Sequence, residues 1–248
     1  MNRITTSRAR HRRTATSDAA RESVRNSPAF LFDLDGTLVD NVYLHVLAWK
    51  EALEKAGIEL AAWRVHRRIG MSGGLFVNAL LREIGRDIKP DVVERLQQFH
   101  SEAYAKKVGQ ARVLPGACEL LARLTTAKVS WIIATSSRRK NAQPALEMLG
   151  IRPETPVITR DEVKYAKPDP DLFLAAARRI GADVHASVVV GDSIWDLLAA
   201  RRAGALGVGL LSGGYGQDEL ERAGAYRVYQ DPADLLQHLD EVGIRMGK

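Results

Sequence analysis

Short apolar runs of strand length alternate along this chain with stretches of helical periodicity. Strands are predicted at about 29–34, 129–134, 155–159, 187–190 and 206–210. Their nearly continuous hydrophobic character is that of parallel strands buried on both faces. Helical periodicity begins at Val42 and runs to about Gly57, with Leu44, Leu47, Ala48, Leu53 and Ala56 on related faces. Further helical pieces fall near 61–69, 72–84 and 90–107, and no strand is predicted between 42 and 112. Leu114-Pro115-Gly116 then opens a helix to about Thr126. Later helices are predicted at 138–149, closed by Gly150, from Asp171 to about Ile180, at 194–203 and at 232–242. A Gly-rich loop occupies 212–216. Strands alternating with helices indicate an α/β fold, a doubly wound and mostly parallel Rossmann-like sheet. The all-helical block interrupts it. The expected division is a tail at 1–28, a core from 29–41 with 113–248, and a helical insertion at 42–112.

Composition changes this picture at one end only. Of 248 residues, 46% are hydrophobic and 27% charged, ordinary values for a domain with a sizeable core. Residues 1–28 hold seven Arg against Asp18 and Glu22, a balance of +5 out of a whole-chain +6. The remainder is about neutral, so a basic body for holding nucleic acid is not expected. The tail has almost no large apolar residues and reads as disordered. Its Arg- and Ser-rich, acid-poor character also resembles an organelle transit peptide. No apolar run reaches the length of a transmembrane helix, and no signal peptide is visible. The single cysteine, Cys118, cannot form an intramolecular disulfide and is expected to be a small buried helical residue. These features suit a cytoplasmic protein, a monomer or homodimer.

The chemistry gathers at predicted strand ends, where open α/β sheets place their sites. After the first strand comes Asp33-Leu34-Asp35-Gly36-Thr37-Leu38-Val39-Asp40. In extended chain, residues two apart share a side, so Asp33 and Asp35 can act on one bound group. Gly36 allows a sharp turn, and Thr37 adds a hydroxyl. Paired carboxylates call for a cation or a shared proton, and oxygen ligands suit Mg²⁺. An acidic turn after a buried strand would carry the same Asp-Gly pair, so the rest of the chain must decide. Thr135-Ser136-Ser137 follows the strand at 129–134, and Gly191-Asp192-Ser193-Ile194-Trp195-Asp196 follows the one at 187–190. Lys167 stands in Lys167-Pro168-Asp169-Pro170, with Lys164 as a neighbouring rival.

Together these four strings resemble, in order, the motifs of the haloacid dehalogenase superfamily of phosphohydrolases. The resemblance implies that Asp33 is the nucleophile and forms an aspartyl-phosphate. It makes Asp35 the general acid/base, with its backbone carbonyl on Mg²⁺. It places Thr135, and Ser136 beside it, on the phosphate, and uses Lys167 to neutralise phosphate and nucleophile. Asp192 would ligate Mg²⁺ together with Asp33 and Asp35, while Asp196 would act through water or orient the site. Dehalogenases of this superfamily lack an acid at the position of Asp35, because halide leaves without a proton, so phosphate esters are favoured over haloacids.

The helical insertion resembles the small cap of one subgroup, which closes over the active site and supplies specificity. In it His45 sits in a string similar to that of beta-phosphoglucomutases and several phosphatases. Arg67, Arg68 and the Gly70-Met71-Ser72-Gly73-Gly74 loop are further candidates, with Arg68 the one expected to meet an anionic substrate. The mutases carry an Arg where Gly73 stands. The expected function is therefore a Mg²⁺-dependent phosphatase of small phosphorylated metabolites, similar to phosphoglycolate phosphatases. A phosphosugar mutase is the alternative, and a non-catalytic binding protein on the same fold a more distant one.

Overall fold

The computed structural model describes residues 29–87 and 89–243. The basic tail at 1–28 lies outside them. Six parallel strands form the central sheet in the order β5-β4-β1-β6-β7-β8. These are β1 (Ala29–Phe32), β4 (Ser130–Ala134), β5 (Val157–Ile158), β6 (Val188–Gly191), β7 (Leu206–Leu210) and β8 (Ala225–Tyr229). A short antiparallel ladder joins β2 (Val39–Asp40) to β3 (Arg112–Val113).

Strand alternation builds two cores from one sheet. Phe30 and Phe32 face a cluster that includes Leu120 and Leu124 of α5 (Ala117–Thr126) and Leu146 of α6 (Arg139–Met148). It also takes in Leu235 of α10 (Pro232–Gln237). Leu31 faces the opposite cluster, with Leu172 and Phe173 of α7 (Asp171–Arg179) and Ala199 and Ala200 of α8 (Ile194–Ala203). Helices thus cover both faces, as the doubly wound reading expects.

The helical block is α1 (Val42–Lys55), α2 (Ala62–His66), α3 (Gly73–Glu83) and α4 (Pro90–Ala105). It has a core of its own, in which Trp49 and Leu53 of α1 meet Phe76 and Leu80 of α3 and Leu96 of α4. Burying each such side chain contributes roughly 1.5–3 kcal/mol. This insertion is the cap, and the β2–β3 ladder forms its stem.

Some details differ from the sequence-based expectation. Helix α9 (Gln217–Ala223) and strand β8 follow the Gly-rich loop and were not expected. The helix expected at 232–242 ends at Gln237 and continues as a 3₁₀ turn over Leu239–Val242. Cys118 is helical but exposed, because the buried face of α5 is formed by Ala117, Leu120, Leu121 and Leu124. Among the described residues no helix is long and apolar enough to cross a membrane.

Candidate active site

Strands β4, β1 and β6 are neighbours, and the residues just past their C-terminal ends are Thr135, Asp33 and Asp192. Asp33 N donates to Val190 O at 2.9 Å and Thr135 N to Ile158 O at 3.0 Å, so both residues extend the sheet by one rung. Their side chains are thereby placed by the ladder rather than by loops. After Asp33 the chain turns, with Leu38 N donating to Leu34 O at 3.0 Å and Gly36 N to Val39 O at 2.8 Å. Gly36 has φ +83°, and a Cβ there would lie 2.5 Å from Asp192 Oδ2. Both facts demand glycine. Gly213 approaches Asp192 from the other side, where a Cβ would fall 1.8 Å from the same oxygen. Asp192 is therefore seated between two bare backbones, and its Oδ1 accepts from Thr37 Oγ1 at 3.0 Å.

Lys167 enters between β5 and α7 and is fully buried. Its Nζ donates to Asp33 Oδ1 and lies 2.7 Å from Asp196 Oδ1. Burial lowers the Lys167 pKa, but Asp196 and Asp33 outweigh it and hold the ammonium charged, above the ordinary lysine range. Asp196 is held in turn by Ser193, accepting from its N at 3.2 Å and its Oγ at 2.5 Å, which also caps α8.

Oxygens of Asp33, Asp192 and Asp196 lie within 4.8 Å of one another, and all three residues are buried. Burial pushes the Asp33 carboxyl up to about 7, with Lys167 opposing and Asp196 and Asp35 adding to the rise. Asp192 is raised well above the usual range by burial, then by Asp196 and Asp33. Three carboxylates thus share one ammonium, leaving excess negative charge in a desolvated pocket. Hard oxygen donors carrying uncompensated charge fit Mg²⁺.

Asp35 is served on both oxygens. Oδ2 accepts from Ser137 Oγ at 2.8 Å and from Thr135 Oγ1 at 3.4 Å. Oδ1 accepts from Asn41 Nδ2 at 2.5 Å and lies 3.5 Å from His45 Nε2. Burial pushes this carboxyl up, but His45, then Asn41 and Ser137, outweigh it and hold it below the usual carboxylate range. Asp33 and Asp35 open onto a cavity of about 380 Å³ between core and cap. Ser136 lines this cavity, and its buried Oγ has no hydrogen-bond partner among the described residues. Trp49, Phe76 and His100 supply an aromatic wall, and Arg68, Arg138 and Arg160 add positive charge.

A sequence model described as haloacid dehalogenase-like hydrolase matches residues 28–204, a span that holds every acid of this cluster. This chain belongs to that family. A hydrolase of known crystal structure from Pseudomonas syringae is 55% identical, with a TM-score of 0.86 over 88% of this chain and 100% of its own. A phosphoglycolate phosphatase of Agrobacterium fabrum is 31% identical over 191 residues, covering 75% of this chain and 82% of that protein. A beta-phosphoglucomutase of Bacillus subtilis is 29% identical over 217 residues, covering 85% and 92%.

Asp33, Asp35, Thr135, Lys167 and Asp192 converge on one site, and of the two lysines it is Lys167 that is buried there. The Lys164 ammonium instead lies 5.1 Å from the Tyr165 ring centroid. The Asp196 carboxylate joins those of Asp33 and Asp192 in the candidate metal cluster. The Asp35 carboxylate lies outside it, bound by Asn41, Ser137 and Thr135, so the metal role expected of Asp35 rests on its backbone carbonyl. His45 reaches the site, whereas the two arginines differ. Arg68 lines the cavity with its guanidinium bound to Glu83 and to Arg64 O. Arg67 pairs with Glu219 and stacks on Tyr215, where it ties the cap to the core. Asn41, His100 and Tyr104 were missed by sequence reasoning, which noted Ser137 only as part of Thr135-Ser136-Ser137 and gave it no role. Their one visible signal is the four-residue spacing of His100 and Tyr104, which sets both on one face of α4.

Proposed function

We propose that this chain is a Mg²⁺-dependent phosphatase of small phosphomonoesters, working through an aspartyl-phosphate on Asp33. The observation that carries the reading is the buried Asp33 carboxylate, bonded to Lys167 and open to a cavity that also presents Asp35 and the unpartnered Ser136 hydroxyl. Lys167 offsets the charge that would otherwise keep a carboxylate from a phosphate. Ser136, whose hydroxyl is unpartnered, would donate to a phosphate oxygen, and Thr135 would do so on releasing its long bond to Asp35. An Asp33 oxygen forms the new bond to phosphorus as the bond to the leaving alkoxide breaks. Asp35 supplies the alkoxide with a proton. An arriving phosphate raises the proton affinity of Asp35 by like-charge repulsion, which prepares it for this step. Water then attacks the phosphorus of the acyl phosphate and Asp35 takes the water proton. Inorganic phosphate leaves and Asp33 is regenerated. Asp33 and Asp192, with the Asp35 backbone carbonyl, would hold the Mg²⁺, and Asp196, bound to Lys167 and Ser193, would orient the site. The ion would supply electrostatic stabilisation to the charge gathering on the phosphoryl oxygens.

The relatives include both a phosphatase and a mutase. Hydrolysis is favoured by the cap wall at Gly73, where a Cβ would come within 3.3 Å of Trp49 Cζ2. The indole of Trp49 crowds the position at which the mutases carry their arginine. A phosphate-release assay with Mg²⁺ over a panel of small phosphomonoesters tests the reading. Release of inorganic phosphate without a bisphosphate activator is expected. Efficient interconversion of hexose 1- and 6-phosphates with little phosphate released would replace it with the mutase.

A further inference from the structure

The two oxygens of Asp35 are held by different parts of the molecule. Oδ2 is bound from the core, by Ser137 and Thr135. Oδ1 faces Asn41 and His45, at the start of the cap. Each of these two is held from behind by helix α4. Asn41 Nδ2 donates to Tyr104 Oη at 2.9 Å as well as to Asp35. His45 Nδ1 lies 3.1 Å from His100 Nε2, one hydrogen bond away. The separation is one helical turn on α4 and four residues on the Asn41–His45 side, so the two paths run in parallel.

The rings also stack. His45 lies on Tyr104 with centroids 3.9 Å apart, and His100 lies on Trp49 at 4.2 Å. All four hydrogen-bonding side chains are buried, which limits competition from water even where His45 and His100 border the cavity. An ionised Asp35 requires His45 to present Nε2–H. His100 satisfies the other ring nitrogen and sets the plane of the imidazole.

We propose that His100 and Tyr104 are positioning residues for Asp35, through which cap helix α4 sets the geometry of proton transfer to the leaving group. This rests on the reading of Asp35 as the proton donor. Neither residue needs to touch the reacting phosphoryl group. Their effect passes through His45 and Asn41, so the seating of α4 against α1 and the alignment of the acid are one event.

A leaving-group comparison separates this from a merely structural role. A p-nitrophenolate leaves with little help from an acid, whereas an alkoxide needs the proton. The value of kcat/KM reports the steps through formation of the aspartyl-phosphate, so the two substrates isolate the donor. His100→Phe keeps an aromatic ring against Trp49 and removes the nitrogen, and Tyr104→Phe removes one hydroxyl. For each variant, kcat/KM toward an alkyl phosphate should fall about 10-fold further than toward p-nitrophenyl phosphate, judged from typical losses on removing such outer partners. His100→Gln, which restores a polar group, should recover part of the difference. Thermal melts establish that each variant is folded, and His100→Gln serves for His100 if the Phe variant is not. Equal losses on both substrates in folded variants would overturn the proposal. The control is Asp35→Asn, which should show the same discrimination more strongly. If Asp35→Asn loses both substrates equally, the reading of Asp35 as donor fails and the proposal falls with it. If Asp35→Asn discriminates and the α4 variants do not, only the positioning role is lost.

Discussion

Lys167 and Asp196 form a buried ion pair, with Nζ 2.7 Å from Oδ1 and neither side chain exposed. The same ammonium bonds Asp33, so Asp196 aims the cation that the candidate nucleophile needs. Replacing one partner of such a pair leaves the other charge desolvated. Asp33 still pairs with the ammonium in Asp196→Asn, so the variant should lose less unfolding free energy than the roughly 3–5 kcal/mol of an unpaired buried charge, and kcat should fall with little change in KM. Denaturant titration and steady-state kinetics check both parts. A variant of unchanged stability would show that the pair is not a structural strut.

Asp192 depends on two neighbours having no side chain. Gly213→Ala would put a methyl group 1.8 Å from Asp192 Oδ2, at a φ that alanine tolerates, so the carboxylate must move. The expected result is a folded protein whose melting temperature no longer rises with added Mg²⁺, whereas that of the wild type does. Equal Mg²⁺ stabilisation in both proteins would place the ion elsewhere.

The raised pKa of Asp33 makes stability depend on pH in the metal-free protein. The folded state keeps a proton up to about pH 7 that the unfolded chain releases near its ordinary value of 3.8. The proton is thus bound preferentially by the folded state, and the stability it contributes is lost as pH rises through that window. His100, whose burial and neighbouring His45 hold its pKa well below normal, has the opposite slope. The clean measure is the difference in melting temperature between wild type and Asp33→Asn in chelator. The wild type should lose ground to the variant between pH 4 and pH 7. A constant difference across that range would contradict the assignment.

Much of this site is legible in the chain because strand ends do the positioning. Asp33, Thr135 and Asp192 each follow an apolar run, and adjacent parallel strands must bring those positions together. Strand β8 escaped notice because it is an edge strand whose Tyr226 and Arg227 face solvent, so it has no continuous apolar run. Helix α9 is short and polar, and only Leu220 and Ala223 are buried. The partners of Asp35 from α4 were hidden for another reason. His100 meets His45 across 55 residues and Tyr104 meets Asn41 across 63, and no local pattern encodes such pairings. Exposed Cys118 shows the limit of reading burial from neighbours, since one position of helical phase separates it from buried Ala117.

The central claim is a phosphoryl group carried by Asp33. Turnover of a small alkyl phosphate with Mg²⁺, quenched in acid and followed by peptide mass spectrometry, tests it most directly. One added phosphoryl group on the peptide containing Asp33, absent from Asp33→Asn, is the predicted result. Steady release of inorganic phosphate with that peptide unmodified, or with the phosphoryl group on another residue, would contradict it.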